Sequence, residues 1–185
     1  MIRSWILILA LVASNVYAEP CEIKAYDLAQ TIQAADKSPV LTNTALSDPL
    51  SKEPIRRYVQ LLPDGTVVIT DQKHCLMYNL TITLLLPDGI SVDTAPSKIA
   101  TILNQTPLWK KWFNALDAEK ILHDAIVSTP FKSRVGKTGS FTYALDDKIK
   151  TKNENSEANL RLVNLEPETL SFNTIISIYI GVGGL

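Results

Sequence analysis

The sequence predicts an α+β fold built on an antiparallel sheet. Apolar and polar residues alternate strictly from Leu76 to Leu86 and again from Leu170 to Val182, which is typical of strands with one buried face. Apolar residues fall at helical spacing between positions 97 and 126. We therefore expect about six to seven strands, arranged as a four-strand meander and three C-terminal strands, with one N-terminal helix and a three-helix insert between the two groups.

The first 18 residues have the pattern of a secretory signal peptide. Arg3 gives a basic start, an apolar run follows from Trp5 to Ala13, and Val16-Tyr17-Ala18 forms a small-residue cleavage site. We expect residues 1–18 to be this leader and residues 19–185 to form a single α+β domain. The protein is then secreted, and it is periplasmic if it comes from a Gram-negative bacterium.

In the N-terminal half, the sequence predicts a helix over Glu22–Asp36, because apolar residues recur at intervals of three and four. The segment Pro39–Pro54 has no clear period and is expected to be a polar surface connection. Four strands should follow, joined by turns at Pro63-Asp64-Gly65, Asp71-Gln72-Lys73 and Pro87-Asp88-Gly89. Their expected bounds are Ile55–Leu62, Thr66–Thr70, Leu76–Leu86 and Ile90–Val92.

In the C-terminal half, three helices are predicted and then three strands. The helices are Ser97–Asn104, Pro107–Leu116, and one that Asp117 caps. The strands begin at Phe141, Leu160 and Leu170, and we expect the last to lie inside the sheet with both faces covered near its C-terminal half. The polar run Asp146–Asn159 is expected to be a solvated, mobile hairpin loop.

The two cysteines of the mature chain, Cys21 and Cys75, predict a disulfide in an oxidising compartment. The bond would close a loop of about 55 residues and contribute roughly 4 kcal/mol in the chain-entropy model. Two other interpretations are a Cys-His nucleophile at His74-Cys75 and a zinc site that adds His123. Adjacent side chains of one strand point to opposite faces, and the spacings are not those of zinc ligands, so both are disfavoured.

Two segments are candidates for partner binding. The first is the aromatic-basic cluster at 108–113, because aromatic anchors dominate interface energetics, although its helical spacing also suits a core stripe. The second is the polar loop. The candidate residues are Trp109, Lys110, Lys111, Trp112, Asp146, Asp147, Lys148, Lys150 and Lys152.

Composition narrows the classes of function. The formal net charge of −1 offers no field for steering nucleic acid, and no later stretch is apolar enough for a transmembrane anchor. Known nucleophile, metal and phosphate-loop motifs are missing, so we expect no cofactor and lean against an enzyme. The sequence favours an exported, non-enzymatic domain that binds another macromolecule, with a protein as the expected partner, as an inhibitor, immunity or accessory protein does. The alternative is a small apolar-ligand carrier or hydrolytic enzyme with a pocket between sheet and helices, lined by aromatics such as Tyr58, Tyr78, Phe141, Tyr143 and Tyr179.

Overall fold

The computed structural model describes residues 25–75, 77–107, 109–113, 117–134, 137–145, 156–165 and 172–183. The strands are β1 (Val40–Ser47), β2 (Pro54–Leu61), β3 (Val67–His74), β4 (Met77–Pro87), β5 (Gly139–Ala144), β6 (Ser156–Asn164) and β7 (Phe172–Gly183). The α-helices are α1 (Ala29–Asp36), α2 (Ala95–Leu103), α3 (Ala118–Val127) and α4 (Thr129–Lys132). A 3-10 turn spans Val92–Thr94, and a π-helical turn spans Trp109–Phe113.

The strands form one antiparallel sheet of seven strands in the order β1-β2-β3-β4-β7-β6-β5. This confirms the α+β class and the antiparallel sheet. The strand β7 lies between β4 and β6, which confirms its predicted place inside the sheet. Its long pairing with β4 joins the N-terminal four strands to the C-terminal three.

The two faces of the sheet differ in burial. On what we call the closed face, alternate side chains of β4, β6 and β7 are buried with residues of the helices in a single apolar core. On what we call the open face, the intervening side chains are mostly half-buried. Ile175 and Tyr179 belong to the open face and are half-buried, whereas Gly181 and Gly183 farther along that face are buried. On this face the burial of β7 therefore increases towards its C-terminal end, in the direction predicted.

Local sequence signals account for several element boundaries. Asp117 caps α3 by accepting a hydrogen bond from the backbone N–H of Lys120 at 3.0 Å. Gly65 and Gly89 adopt φ of +84° and +82°, as the two Pro-Asp-Gly turns require of their third residue. Both turns are confirmed.

The N-terminal helix is shorter than its apolar spacing predicts. Among the described residues it begins at Ala29, and the residues before it are not helical. The side-chain amide of Gln72 explains this, because it accepts from the Tyr26 N–H at 2.8 Å and donates to the Tyr26 carbonyl at 2.7 Å. These bonds replace the helical ones at that position.

The meander contains four strands, but they are not the four predicted ones. The segment expected to be a surface connection contains β1, an edge strand exposed along nearly its whole length. With no buried face it has no period of two. The predicted turn at Asp71-Gln72-Lys73 is instead the continuation of β3, and the predicted strand Ile90–Val92 leads into the 3-10 turn.

Candidate functional site

The open face carries a continuous line of apolar side chains at one end of the sheet. Cross-strand pairing places one residue from each of five neighbouring strands in register. This apolar row consists of Leu61, Val67, Leu85, Ile175 and Val163. Leu61 is 49% exposed, and the other four are half-buried. The row therefore presents apolar surface that no described element of the chain covers.

Polar side chains on the open face bond to one another across the strands. The guanidinium of Arg57 donates two parallel hydrogen bonds to the carboxylate of Asp71, Nε to Oδ1 at 2.7 Å and Nη2 to Oδ2 at 2.6 Å. The hydroxyls of Thr83 and Ser177 lie 2.9 Å apart at the centre of the face. Arg161 of β6 pairs in register with Ser177 and is exposed, so the middle of the face combines two hydroxyl groups with one cation.

A second ion pair lies near the end of the open face opposite the apolar row. The ammonium of Lys73 contacts Glu53 Oε2 at 2.8 Å and Asp48 Oδ2 at 3.5 Å. The hydrogen bond to Glu53 is the main reason that the pKa of Lys73 rises above its ordinary value. The neighbouring hydroxyl of Tyr179 donates to Asn79 Oδ1 at 2.7 Å. Burial first, and then Glu157, raise the pKa of Tyr179 to about 12. The hydroxyl thus stays protonated at neutral pH.

A cleft of about 320 Å³ opens beside the core, between α2 and the turn that joins β2 to β3. Its floor is apolar, and small hydroxylated side chains form its walls. The residues that shape it are Ser38, Leu62, Val68, Ser97, Thr101 and Ile102. Val68 and Ile102 are fully buried members of the core. The cleft therefore leads from the surface down to the apolar interior.

An ion pair lines this cleft. Lys98, on α2, donates to Asp64 Oδ2 at 2.8 Å, and Asp64 Oδ1 accepts from the backbone N–H of Thr66 at 3.0 Å. Burial raises the pKa of Asp64, but the hydrogen bonds from Lys98 and Thr66 outweigh it, so the net pKa is lowered. The carboxylate is ionised at neutral pH and fixes the β2–β3 turn to α2.

The structure places the predicted aromatic-basic cluster on the π-helical turn. Trp109 is 3% exposed and belongs to the apolar core, so in the folded protein it cannot serve as a surface anchor. Lys110 and Lys111 are exposed. The side chain of Trp112 lies outside what the structure describes. Among the described side chains of this cluster, those at the surface are therefore the two lysines.

The other predicted positions are only partly covered. Asp146, Asp147, Lys148, Lys150 and Lys152 lie outside the described residues, and the end of the expected loop, Ser156–Asn159, belongs to β6. The leader and Cys21 also lie outside them. Cys75 is half-buried at the turn after β3 and is not a free thiol. Its bond to Cys21 stays a prediction.

The aromatic lining expected for a carrier pocket does not assemble. Tyr58 and Tyr78 are buried on the closed face beneath the N-terminal segment, where Tyr78 donates to Gln72 and contacts the Tyr26 ring edge-on with centroids 5.4 Å apart. Phe141 lies on β5 against Phe131. Tyr179 lies on the opposite face of the sheet. The cleft beside α2 is lined by none of these aromatic residues.

Comparison with known proteins assigns no family. No family model, curated protein or solved structure matches the chain. Within the described segments, His, Cys, Asp and Glu side chains form no group that could hold a metal ion, and no helix there has the length and apolar character to cross a bilayer. The sequence signals missed the apolar row, because its residues come from five strands and meet only through cross-strand register.

Proposed function

We propose that this chain is an exported, non-enzymatic protein that binds another protein through the open face of its sheet, as an inhibitor, immunity or accessory protein does. The apolar row carries this proposal. Five aliphatic side chains meet across five strands without entering the core. A contiguous exposed apolar patch of this kind indicates an interaction site more often than scattered apolar residues do. Export rests on the leader at residues 1–18.

The charges of the open face define the partner's chemistry. Arg57 is neutralised by Asp71, and Lys73 by Glu53 and Asp48. A strongly charged partner would have to break these pairs or bury an unbalanced charge against them, which is costly. The favoured partner is therefore a protein that is uncharged opposite these pairs, accommodates the exposed Arg161 and Glu157 of β6, and places aliphatic or aromatic side chains on the apolar row.

The size of the open face suits a specific complex. Seven strands at about 4.8 Å spacing make the sheet about 29 Å wide, and an eight-residue strand is about 26 Å long. The resulting area, roughly 750 Å², is near the ~800 Å² that each partner contributes to an interface of standard size. A partner that covers the whole face can thus form a stable complex without further surface.

Site-specific photo-crosslinking in the native host tests the proposal. A photoreactive residue at Val67, in the apolar row, should give a discrete adduct with one other protein. The matched control is the same residue at Leu50, which is 92% exposed in the loop after β1 and should give no such adduct. Leu85→Asp should abolish the adduct at Val67, whereas Val127→Asp, at an exposed position of α3 away from the open face, should leave it intact.

Three results would contradict the proposal. The first is an absence of adduct at Val67 while the protein is folded and exported. The second is equal adducts at Val67 and Leu50, which would show random collision. The third is an adduct with twice the mass of the chain, which would assign the open face to a second copy rather than to another protein. Circular dichroism of the purified Leu85→Asp protein checks that it folds.

A further inference from the structure

We propose that the cleft between α2 and the β2–β3 turn binds a small uncharged molecule with an apolar body and one hydroxyl or carbonyl group. The site is separate from the open face, since the two lie on opposite sides of the sheet. The proposal of a ligand site can therefore be tested independently of the proposed protein partner.

The shape of the cleft follows from two small side chains of α2. Ser97 and Thr101 are four residues apart and so share one face of the helix, and both line the cleft. Much of the rest of the closed face is filled by larger side chains, among them leucine, isoleucine and tyrosine. A volume of about 320 Å³ lies within the range of ligand sites, roughly 300–1,000 Å³.

The floor and walls divide the cleft into an apolar and a polar part. Leu62, Val68 and Ile102 give an apolar floor. The wall hydroxyls already donate to helix carbonyls, Thr101 to Ser97 at 2.7 Å and Ser97 to Thr94 at 3.3 Å. Their oxygens remain acceptors. An apolar ligand body can therefore occupy the floor with its polar group at the wall.

Lys98 supplies the donor for that polar group. Its ammonium has three N–H donors, and one of them binds Asp64. The other two can reach a ligand oxygen without breaking the ion pair. Asp64 is held by Lys98 and by the Thr66 N–H, so the pair stays in place when a ligand enters.

The ion pair also explains why the ligand should be uncharged. Among the described residues that line the cleft, only Lys98 and Asp64 carry charge, and they balance each other. An anionic ligand would bring a net charge into a partly desolvated site with no counter-charge, which costs binding energy. A neutral hydroxyl or carbonyl accepts a charge-assisted hydrogen bond without that cost.

Three probes of equal ring size test the site on the mature chain: 2-naphthol, naphthalene and 2-naphthoate. Binding is followed by NMR chemical-shift titration. We expect saturable binding of 2-naphthol with shifts at Leu62, Val68 and Ile102, and weaker binding of the other two probes. Thr101→Phe, which fills the cleft, should weaken 2-naphthol binding at least tenfold. The matched control His123→Phe, at an exposed position of α3, should leave it unchanged.

A second variant separates the polar contact from simple occupancy. Lys98→Met should bring the affinity for 2-naphthol down to that for naphthalene. Ser97→Phe is a second filling variant at an exposed position, for use if Thr101→Phe does not fold. Saturation by none of the probes, equal binding to the filled and control variants, or tighter binding of 2-naphthoate than of 2-naphthol would each overturn the proposal.

Discussion

The two faces of the sheet are built from the same strands but differ in how deeply their side chains are buried. On β4, Leu84 is fully buried on the closed face, whereas its neighbour Leu85 lies half-exposed on the open face. Both are leucines of one strand, so β propensity does not distinguish them. Burial in the core explains why an apolar residue stands at Leu84. Folding of this chain leaves Leu85 partly in water, which is why its apolar character points to a partner.

The closed face also contacts the N-terminal segment. Breaking the covalent attachment predicted for this segment should give the largest change in the free energy of unfolding. Gln72 binds Tyr26, and the predicted Cys21–Cys75 bond would add a covalent link at the end of β3. Reduction of the mature protein should lower the free energy of unfolding by about 4 kcal/mol, measured by urea denaturation. The mass should increase by two protons. An unchanged mass on reduction would show that the disulfide is not formed.

The next effect compares the two leucines directly. Leu84→Ala should lower the free energy of unfolding by roughly 2–5 kcal/mol, because it removes buried methyl groups and leaves a cavity. Leu85→Ala should lower it by about 1 kcal/mol or less, since its side chain is already partly hydrated. Guanidinium denaturation of both variants measures the difference. Equal losses would show that the open face is as essential to folding as the closed one.

The sequence predicted the closed face better than the open one, for a physical reason. Burial imposes a period of two on β4 and β7, and that period is visible in a single sequence. The edge strand β1 is exposed on both faces and shows no period. The polar residues Asp71 and Gln72 suggested a turn. Their actual roles, binding Arg57 and the N-terminal backbone, depend on neighbours that are distant in sequence.

The candidate sites were harder to predict than the fold. The cluster around Trp109 could be placed on a helical turn from spacing, but whether its tryptophan faces the core or solvent depends on tertiary packing. The apolar row depends on register between strands as far apart in sequence as Leu61 and Ile175. The cleft depends on how α2 lies against the β2–β3 turn. None of these relations is encoded in a local pattern.

Two tyrosine hydroxyls allow the stability contributed by a polar contact to be compared between the two faces. Tyr78 donates to Gln72 in the closed face, and Tyr179 donates to Asn79 on the open face. Tyr78→Phe should lower the free energy of unfolding by roughly 1 kcal/mol, because the buried oxygen of Gln72 loses one of its two donors and keeps the Tyr26 N–H. Tyr179→Phe should cost about 0.5 kcal/mol or less, because water can replace the lost partner. Urea denaturation measures both. A larger loss for Tyr179→Phe would reverse the assignment of the faces.

The smallest expected effect comes from ionisation of the same two hydroxyls. At neutral pH both are protonated, so ionisation then adds no difference in stability between the two faces. Burial raises the pKa of Tyr78 far above its ordinary value, and it raises that of Tyr179, with Glu157 adding to it, to about 12. An unfolded tyrosine ionises near pH 10, so between about pH 10 and 12 the unfolded state binds fewer protons than the folded state. The stability that Tyr179 contributes by keeping its proton is therefore complete below pH 10 and is lost as the pH rises towards 12.

Ultraviolet titration of tyrosinate should show Tyr179 ionising in the folded protein near pH 12, with Tyr78 ionising only on unfolding. The Tyr179→Phe variant should lose the step near pH 12 and show a shallower fall in stability over the same range. The Tyr78→Phe variant should keep the step. Ionisation of Tyr179 near pH 10 would mean that water reaches its hydroxyl freely, and the polar part of the open face would then be more exposed than its hydrogen bond to Asn79 indicates.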